Sequence, residues 1–218
     1  MVCLTMSGIR CRRFIATLTL LLCALPVTGA LAQSRNSEPL RDLPAAELLQ
    51  ELRKGGYILY FRHTATDFSK NDDAMTSFED CASQRNLTES GRAQARAIGE
   101  AIRALAIPVG KVIASPYCRT VETGMLIFGR AEKNNDVRGG PGTANNPERY
   151  AGLRKLLSTS PPAGTNLAIA SHGNPFHAVA GPPYLVEGEA AVVRPLGKDF
   201  EIVSRIRSER WSELQPTR

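Results

Sequence analysis

The chain has 218 residues, a formal net charge of +6, 22% charged residues and 43% hydrophobic residues. Residues 1–32 carry Arg10, Arg12 and Arg13 and no Asp, Glu or Lys, so the remainder holds 24 basic against 21 acidic side chains. That near balance, with no Lys/Arg run interleaved with aromatics, excludes a dedicated nucleic-acid binder; the composition excludes wholesale disorder and a coiled coil.

In chain order, the first 32 residues have the pattern of an export signal. A cationic start ends at Arg13, an apolar stretch runs from Phe14 to Val27, and the small-residue site Ala30-Leu31-Ala32 precedes Gln33. The apolar stretch fits a signal core of roughly 7 to 15 residues rather than the ~20 needed to span a bilayer. The expectation is cleavage before Gln33, a single domain over 33–218, and no stable membrane anchor afterwards. Of five cysteines only Cys81 and Cys118 then remain, which allows one disulfide in an oxidising compartment or two free thiols. Neither Cys-x-x-Cys nor His-Glu-x-x-His occurs, so no zinc site is expected.

Residues 33–42 read as a polar lead-in, followed by a helix over 45–54 that Gly55-Gly56 stops. Tyr57 to Phe61 is apolar at every position, as in a strand covered on both faces. Residues 64–86 are polar and read as a long surface excursion. From Thr88 the period becomes helical, with Ala95, Ile98, Ile102 and Leu105 on one face and a stop before Pro108. A strand over 109–114, a helix over 117–128, a Gly-rich loop over 139–142 and a helix opened by Pro147-Glu148 and running to Leu157 follow. Strands are predicted at 167–170, 189–194 and 200–206, the last two joined by Gly197-Lys198-Asp199. This alternation predicts a three-layer α/β fold, a mostly parallel sheet flanked by helices, with an antiparallel hairpin at its C-terminal end.

Three segments share one structural address. His63 follows the first strand through Arg62, His172 follows the 167–170 strand through Ser171, and Arg119 opens the helix after the 109–114 strand. The carboxyl ends of parallel strands line the crevice where open α/β sheets bind ligands, so two imidazoles and two guanidinium groups are expected to converge there. Guanidinium forks match phosphate oxygens, and neutral imidazole is a nucleophile toward phosphorus. Two flanking cations would lower the pKa of His63 and keep its lone pair available. His177 has no expected catalytic role, and Ser115 and Ser171 lie in no Gly-x-Ser-x-Gly elbow, which disfavours a serine hydrolase.

These residues resemble the histidine phosphatase superfamily, the phosphoglycerate mutase-like fold. The resemblance runs in order through Arg62-His63-Thr64, Leu87-Thr88-Glu89-Ser90-Gly91-Arg92-Ala93-Gln94-Ala95, Ala114-Ser115-Pro116-Tyr117-Cys118-Arg119-Thr120 and Ser171-His172-Gly173, within about residues 53–206. It implies that His63 is transiently phosphorylated, that Arg62, Arg119 and His172 hold the phosphoryl oxygens, and that Thr66 and Ser69 help bind substrate. No metal or organic cofactor is implied. Thr64 stands where many relatives have Gly. Glu187 is the preferred acid for protonating the leaving group, with Glu148 and Glu122 as competitors, although Glu122 is better suited to pairing with an arginine. The expected function is hydrolysis of a small phosphorylated substrate outside the cytoplasm. The alternative is a noncatalytic envelope protein binding phosphorylated lipid or glycan on the same fold.

Overall fold

The computed structural model describes residues 43–140 and 147–214. The expected signal segment 1–32, the lead-in 33–42 and residues 141–146, which include the second half of the Gly-rich loop, lie outside these. No helix of the described residues is long and apolar enough to cross a membrane.

The sheet contains β1 (Ile58–Arg62), β2 (Val109–Ala114), β3 (Glu132–Lys133), β4 (Asn166–Ser171), β5 (Ala190–Pro195) and β6 (Phe200–Ile206). Their spatial order is β3-β2-β4-β1-β5-β6. The first four are mutually parallel, β5 runs antiparallel to β1, and β6 closes the edge as an antiparallel hairpin with β5. The mostly parallel sheet with an antiparallel C-terminal hairpin is therefore as expected.

Helices α1 (Ala45–Lys54), α2 (Glu89–Ala104) and α3 (Cys118–Phe128) cover one face; α4 (Ala151–Ser158) and α5 (Gly173–Ala180) cover the other. The alternation of β1 explains the two cores. Leu59 and Phe61 pack with Leu52, Ile98, Ile102 and Trp211, while Ile58 and Tyr60 pack with Leu153, Leu157 and Phe176. Each of these large side chains contributes about 1.5–3 kcal/mol by leaving water, which makes β1 the shared wall of both layers. Asn166 secures its neighbour: its amide donates to the carbonyls of Leu52 (2.7 Å) and Pro108 (2.8 Å) and accepts from Tyr57 N–H (3.0 Å), so a buried polar side chain is satisfied on three sides.

Thr88 caps α2 by accepting from Gly91 N–H at 3.0 Å. A Cβ on Gly91 would stand 2.1 Å from Ala65 O, so only glycine lets the helix start press onto the chain just beyond His63.

Several boundaries differ from expectation. The helix opened at Pro147 begins as a 3-10 turn over Pro147–Tyr150 before α4. The segment after His172, for which the sequence leaves helix and loop open, forms α5; Gly173 and Pro175 in its first turn are poor interior formers and its apolar pattern spans only two turns. Strand β3 is two charged residues long and has no periodicity to detect.

Candidate functional site

The registers explain why distant residues meet. Arg62 pairs with Ser171 across β1 and β4, so His63 and His172, each one residue further on, emerge side by side. Their rings stand 5.5 Å apart, edge to face. Ala114 of β2 pairs with Ala170 of β4, which brings Ser115 level with Ser171. Phe61 pairs with Ala190 of antiparallel β5, and Gly188 N–H donates to His63 O at 3.0 Å, delivering Glu187 to the same edge.

His63 is 1% exposed, and its Nδ1 lies 3.0 Å from Thr64 O. A carbonyl only accepts, so a neutral ring carries its proton on Nδ1 and keeps the Nε2 lone pair. Burial pushes the His63 pKa down to about 3; the Thr64 carbonyl opposes this, and the charges of Arg119, Arg62 and Arg85 add to it. The expectation assigned that depression to Arg62 and Arg119. Burial is the larger cause, because an imidazolium at this depth loses its hydration outright.

His172 is held well below the ordinary histidine pKa, first by burial and then by His63 and the same three arginines. Its Nε2 is 2.8 Å from Ser115 Oγ, and Tyr117 packs edge-on against it with ring centroids 5.0 Å apart. Gly139 lines the remaining side: a Cβ there would stand 2.6 Å from the imidazole Cδ2.

The Arg119 guanidinium stacks on Tyr117 at 4.5 Å and donates through Nη1 to Asp72 Oδ1 (2.9 Å) and Arg85 O (3.2 Å). Burial lowers its pKa, with Asp72 acting in the opposite direction. Arg62 donates through Nη1 to Leu185 O (2.8 Å) and through Nη2 to Glu187 Oε1 (3.5 Å). The Nε–H groups of Arg62, Arg85 and Arg119 are buried without a hydrogen-bond partner among the described residues. Unused buried donors on three cations beside two neutral imidazoles suit a multiply charged oxyanion.

The other expected site residues divide. Thr66 is at the site edge, where its hydroxyl and N–H donate to Glu187 at 2.7 and 3.2 Å. Glu187 Oε1 lies 3.8 Å from His63 Nδ1, a contact of carboxylate with neutral imidazole rather than an ion pair. Ser69 is not brought into this cluster; it is exposed, and its hydroxyl donates to Asp67 in a local turn, because a loop of polar residues satisfies short-range bonds first. Glu122 pairs with Arg92 at 2.6 Å, and Glu148 is exposed on the 3-10 turn before α4. Thr64 is fully buried with its hydroxyl 3.4 Å from Thr123 Oγ1, so its extra bulk is accommodated against α3.

Sequence reasoning missed Asp72, Arg85, Ser115, Tyr117 and Gly139. Asp72 and Arg85 belong to the 64–86 excursion, whose composition carries no positional code. A disulfide between Cys81 and Cys118, with Cα atoms 5.7 Å apart, ties this excursion to the first residue of α3, next to Arg119. Among the described residues no group of three or more His, Cys, Asp or Glu is arranged to hold a metal ion.

A profile of the histidine phosphatase superfamily (branch 1) matches residues 58–139, which include Arg62, His63 and Arg119; His172 and Glu187 lie beyond it. No curated protein sequence matches. Among solved structures, the fold is similar to SixA from Agrobacterium tumefaciens, with 13% identity, 69% of this chain and 97% of that chain covered, and a TM-score of 0.49. It is similar also to a phosphoserine phosphatase from Entamoeba histolytica in complex with 3-phosphoglyceric acid, with 14% identity, coverage of 68% and 95%, and a TM-score of 0.47. A mycobacterial glucosyl-3-phosphoglycerate phosphatase aligns with 13% identity, coverage of 67% and 94%, and a TM-score of 0.43.

Proposed function

We propose that the chain is a member of the histidine phosphatase superfamily, which the profile match over residues 58–139 supports, and that it hydrolyses phosphomonoesters through a phosphohistidine at His63. The observation carrying this reading is the setting of His63: it is buried, and its Nδ1 lies 3.0 Å from the Thr64 carbonyl, an arrangement that suits a neutral ring with its lone pair at Nε2. Arg62, Arg119 and His172 hold the three non-bridging oxygens, and the guanidinium charges offset the repulsion an anionic ester offers to a nucleophile. Nε2 attacks phosphorus in line with the leaving oxygen. Water then attacks the phosphohistidine from the side the leaving group vacated.

Thr66 takes a supporting place in this reading. Its two donors fix Glu187, and Glu187 in turn faces Arg62, so the carboxylate positions a clamp guanidinium. The export-type pattern of the N-terminal residues and the Cys81–Cys118 disulfide support a periplasmic or secreted enzyme acting on a small phosphorylated molecule. Neither nucleic acid nor a membrane anchor enters the proposal.

The test uses the chain without residues 1–32 and a generic aryl phosphate. His63→Ala is expected to reduce kcat/KM at least about a thousandfold, and parent enzyme quenched in alkaline detergent should carry alkali-stable, acid-labile phosphate on His63. Arg119→Ala should weaken inhibition by inorganic phosphate. Equal turnover by parent and His63→Ala would overturn the reading.

A further inference from the structure

Hydrolysis of an alkyl phosphate needs an acid, because an alkoxide is a poor leaving group until protonated. The three carboxylates singled out in the sequence are badly placed for it. Glu122 is engaged by Arg92, and Glu148 is exposed on a turn before α4. Glu187 is fixed by Thr66 and lies 3.8 Å from Nδ1, the nitrogen of His63 that does not attack. In-line displacement puts the leaving oxygen on the far side of phosphorus from Nε2, away from a carboxylate that rests on the other nitrogen.

Asp72 differs from all three. Its Oδ1 accepts from Arg119 Nη1 at 2.9 Å and from Arg85 N–H at 2.9 Å, so it rests directly on the phosphate clamp. Its side chain is 26% exposed where that of Arg119 is 6%, which puts the carboxylate on the solvent side of the buried guanidinium. A leaving group must depart toward solvent, and His63 and His172 form the buried side of the site. The excursion that carries Asp72 is stitched to α3 at Cys118, beside Arg119, so the carboxylate and the clamp belong to one covalently closed unit.

Resting on the phosphohydrolase reading above, we propose that Asp72 is the catalytic acid and base of this site. A phosphomonoester monoanion gives its proton to Asp72 as the resulting dianion replaces the carboxylate on Arg119 Nη1. Nε2 of His63 then forms the N–P bond, the ester P–O bond breaks, and its electron pair takes the proton from Asp72, releasing the alcohol. In the second half, the Asp72 carboxylate accepts a proton from water as the water oxygen bonds to phosphorus. The N–P electron pair returns to Nε2, leaving neutral His63, protonated Asp72 and hydrogen phosphate.

The test compares kcat/KM for O-phosphoserine, whose alkoxide needs a proton, with that for p-nitrophenyl phosphate, whose nitrophenolate leaves without one. This parameter covers every step through leaving-group release. Asp72→Asn keeps an oxygen for Arg119 and Arg85. It should lower the phosphoserine value by about 10²-fold or more, within the range of general acid catalysis, and the nitrophenyl value only several-fold. Asp72→Glu should recover at least tenfold of the phosphoserine loss, and Glu187→Gln should depress both substrates alike. Equal losses on both substrates in Asp72→Asn, or the selective loss appearing in Glu187→Gln instead, would overturn the assignment while leaving the His63 reading intact. Absence of turnover in the parent enzyme would overturn both.

Discussion

Ser115 Oγ and His172 Nε2 stand 2.8 Å apart at the carboxyl ends of neighbouring strands. The serine hydroxyl thereby helps fix the plane of the second imidazole, which His63, Tyr117 and the backbone of Gly139 also contact. Ser115→Ala removes one buried hydrogen bond, worth about 0.5–1.5 kcal/mol net. The expected consequence is a drop of about 2–10-fold in kcat/KM, appearing mainly in KM for the phosphate ester, with His63 still phosphorylated. Steady-state kinetics with inorganic phosphate inhibition checks this, and unchanged KM with unchanged phosphate affinity would show that Ser115 does not orient the ring.

The two buried histidines predict a direction for acid sensitivity. His63 has its pKa lowered to about 3 in the fold, and His172 is likewise well below its ordinary value. In the unfolded chain both return to about 6.5. Below that value the unfolded state binds protons that the folded state refuses, so stability falls as pH drops from about 6.5 toward 3 and receives no such penalty above 6.5. The slope approaches about 1.4 kcal/mol per pH unit for each histidine. Urea midpoints between pH 7.5 and 4.5 should decline, and His63→Gln should decline less steeply. Parallel profiles for the two proteins would contradict a neutral, buried His63. The same shift keeps the proposed nucleophile unprotonated in mild acid, so kcat/KM should show no loss attributable to His63 near pH 5.

Reducing the disulfide should act on both stability and phosphate binding. The bridge joins residues 37 apart in sequence, and loop-closure entropy assigns such a link about 4 kcal/mol. Its second cysteine precedes Arg119, and Gln84 reinforces the junction by accepting from Cys118 N–H at 2.9 Å. Cys81→Ser, or dithiothreitol on the parent protein, is expected to lower Tm and to raise KM for phosphate esters because the Asp72–Arg119–Arg85 contacts loosen. Thermal melts and kinetics measured on the same samples check it. Two titratable thiols in the oxidised native protein would refute the bridge.

Local chemistry made much of the architecture readable in advance. Apolar runs such as Tyr57 to Phe61 announced strands covered on both faces, and the Thr88 cap with its 3.6-residue stripe announced α2. Where propensity and tertiary packing disagreed, reading left helix and loop open: α5 starts on Gly173-Asn174-Pro175 and forms because Phe176 fills the core beneath β1. The cluster was legible for a related reason. Arg62 ends β1, and His63 and His172 directly follow strands whose direction obeys general rules, so their convergence needed no knowledge of the loops.

The excursion over 64–86 obeys no such rule. Thr66 and Ser69 occupy comparable positions in its sequence, yet one reaches Glu187 and the other bonds to Asp67 in solvent. Asp72 and Arg85 are ordinary polar loop residues until Cys81 and Cys118 bring that loop against Arg119. The convergence of Arg62, His63 and His172 was thus legible from the chain alone, since a strand's end and its period are local properties. Their protonation, the ordering of His172 by Ser115 and the carboxylate resting on the clamp arose only in three dimensions, because burial and hydrogen-bond partnership depend on neighbours that sequence distance does not specify.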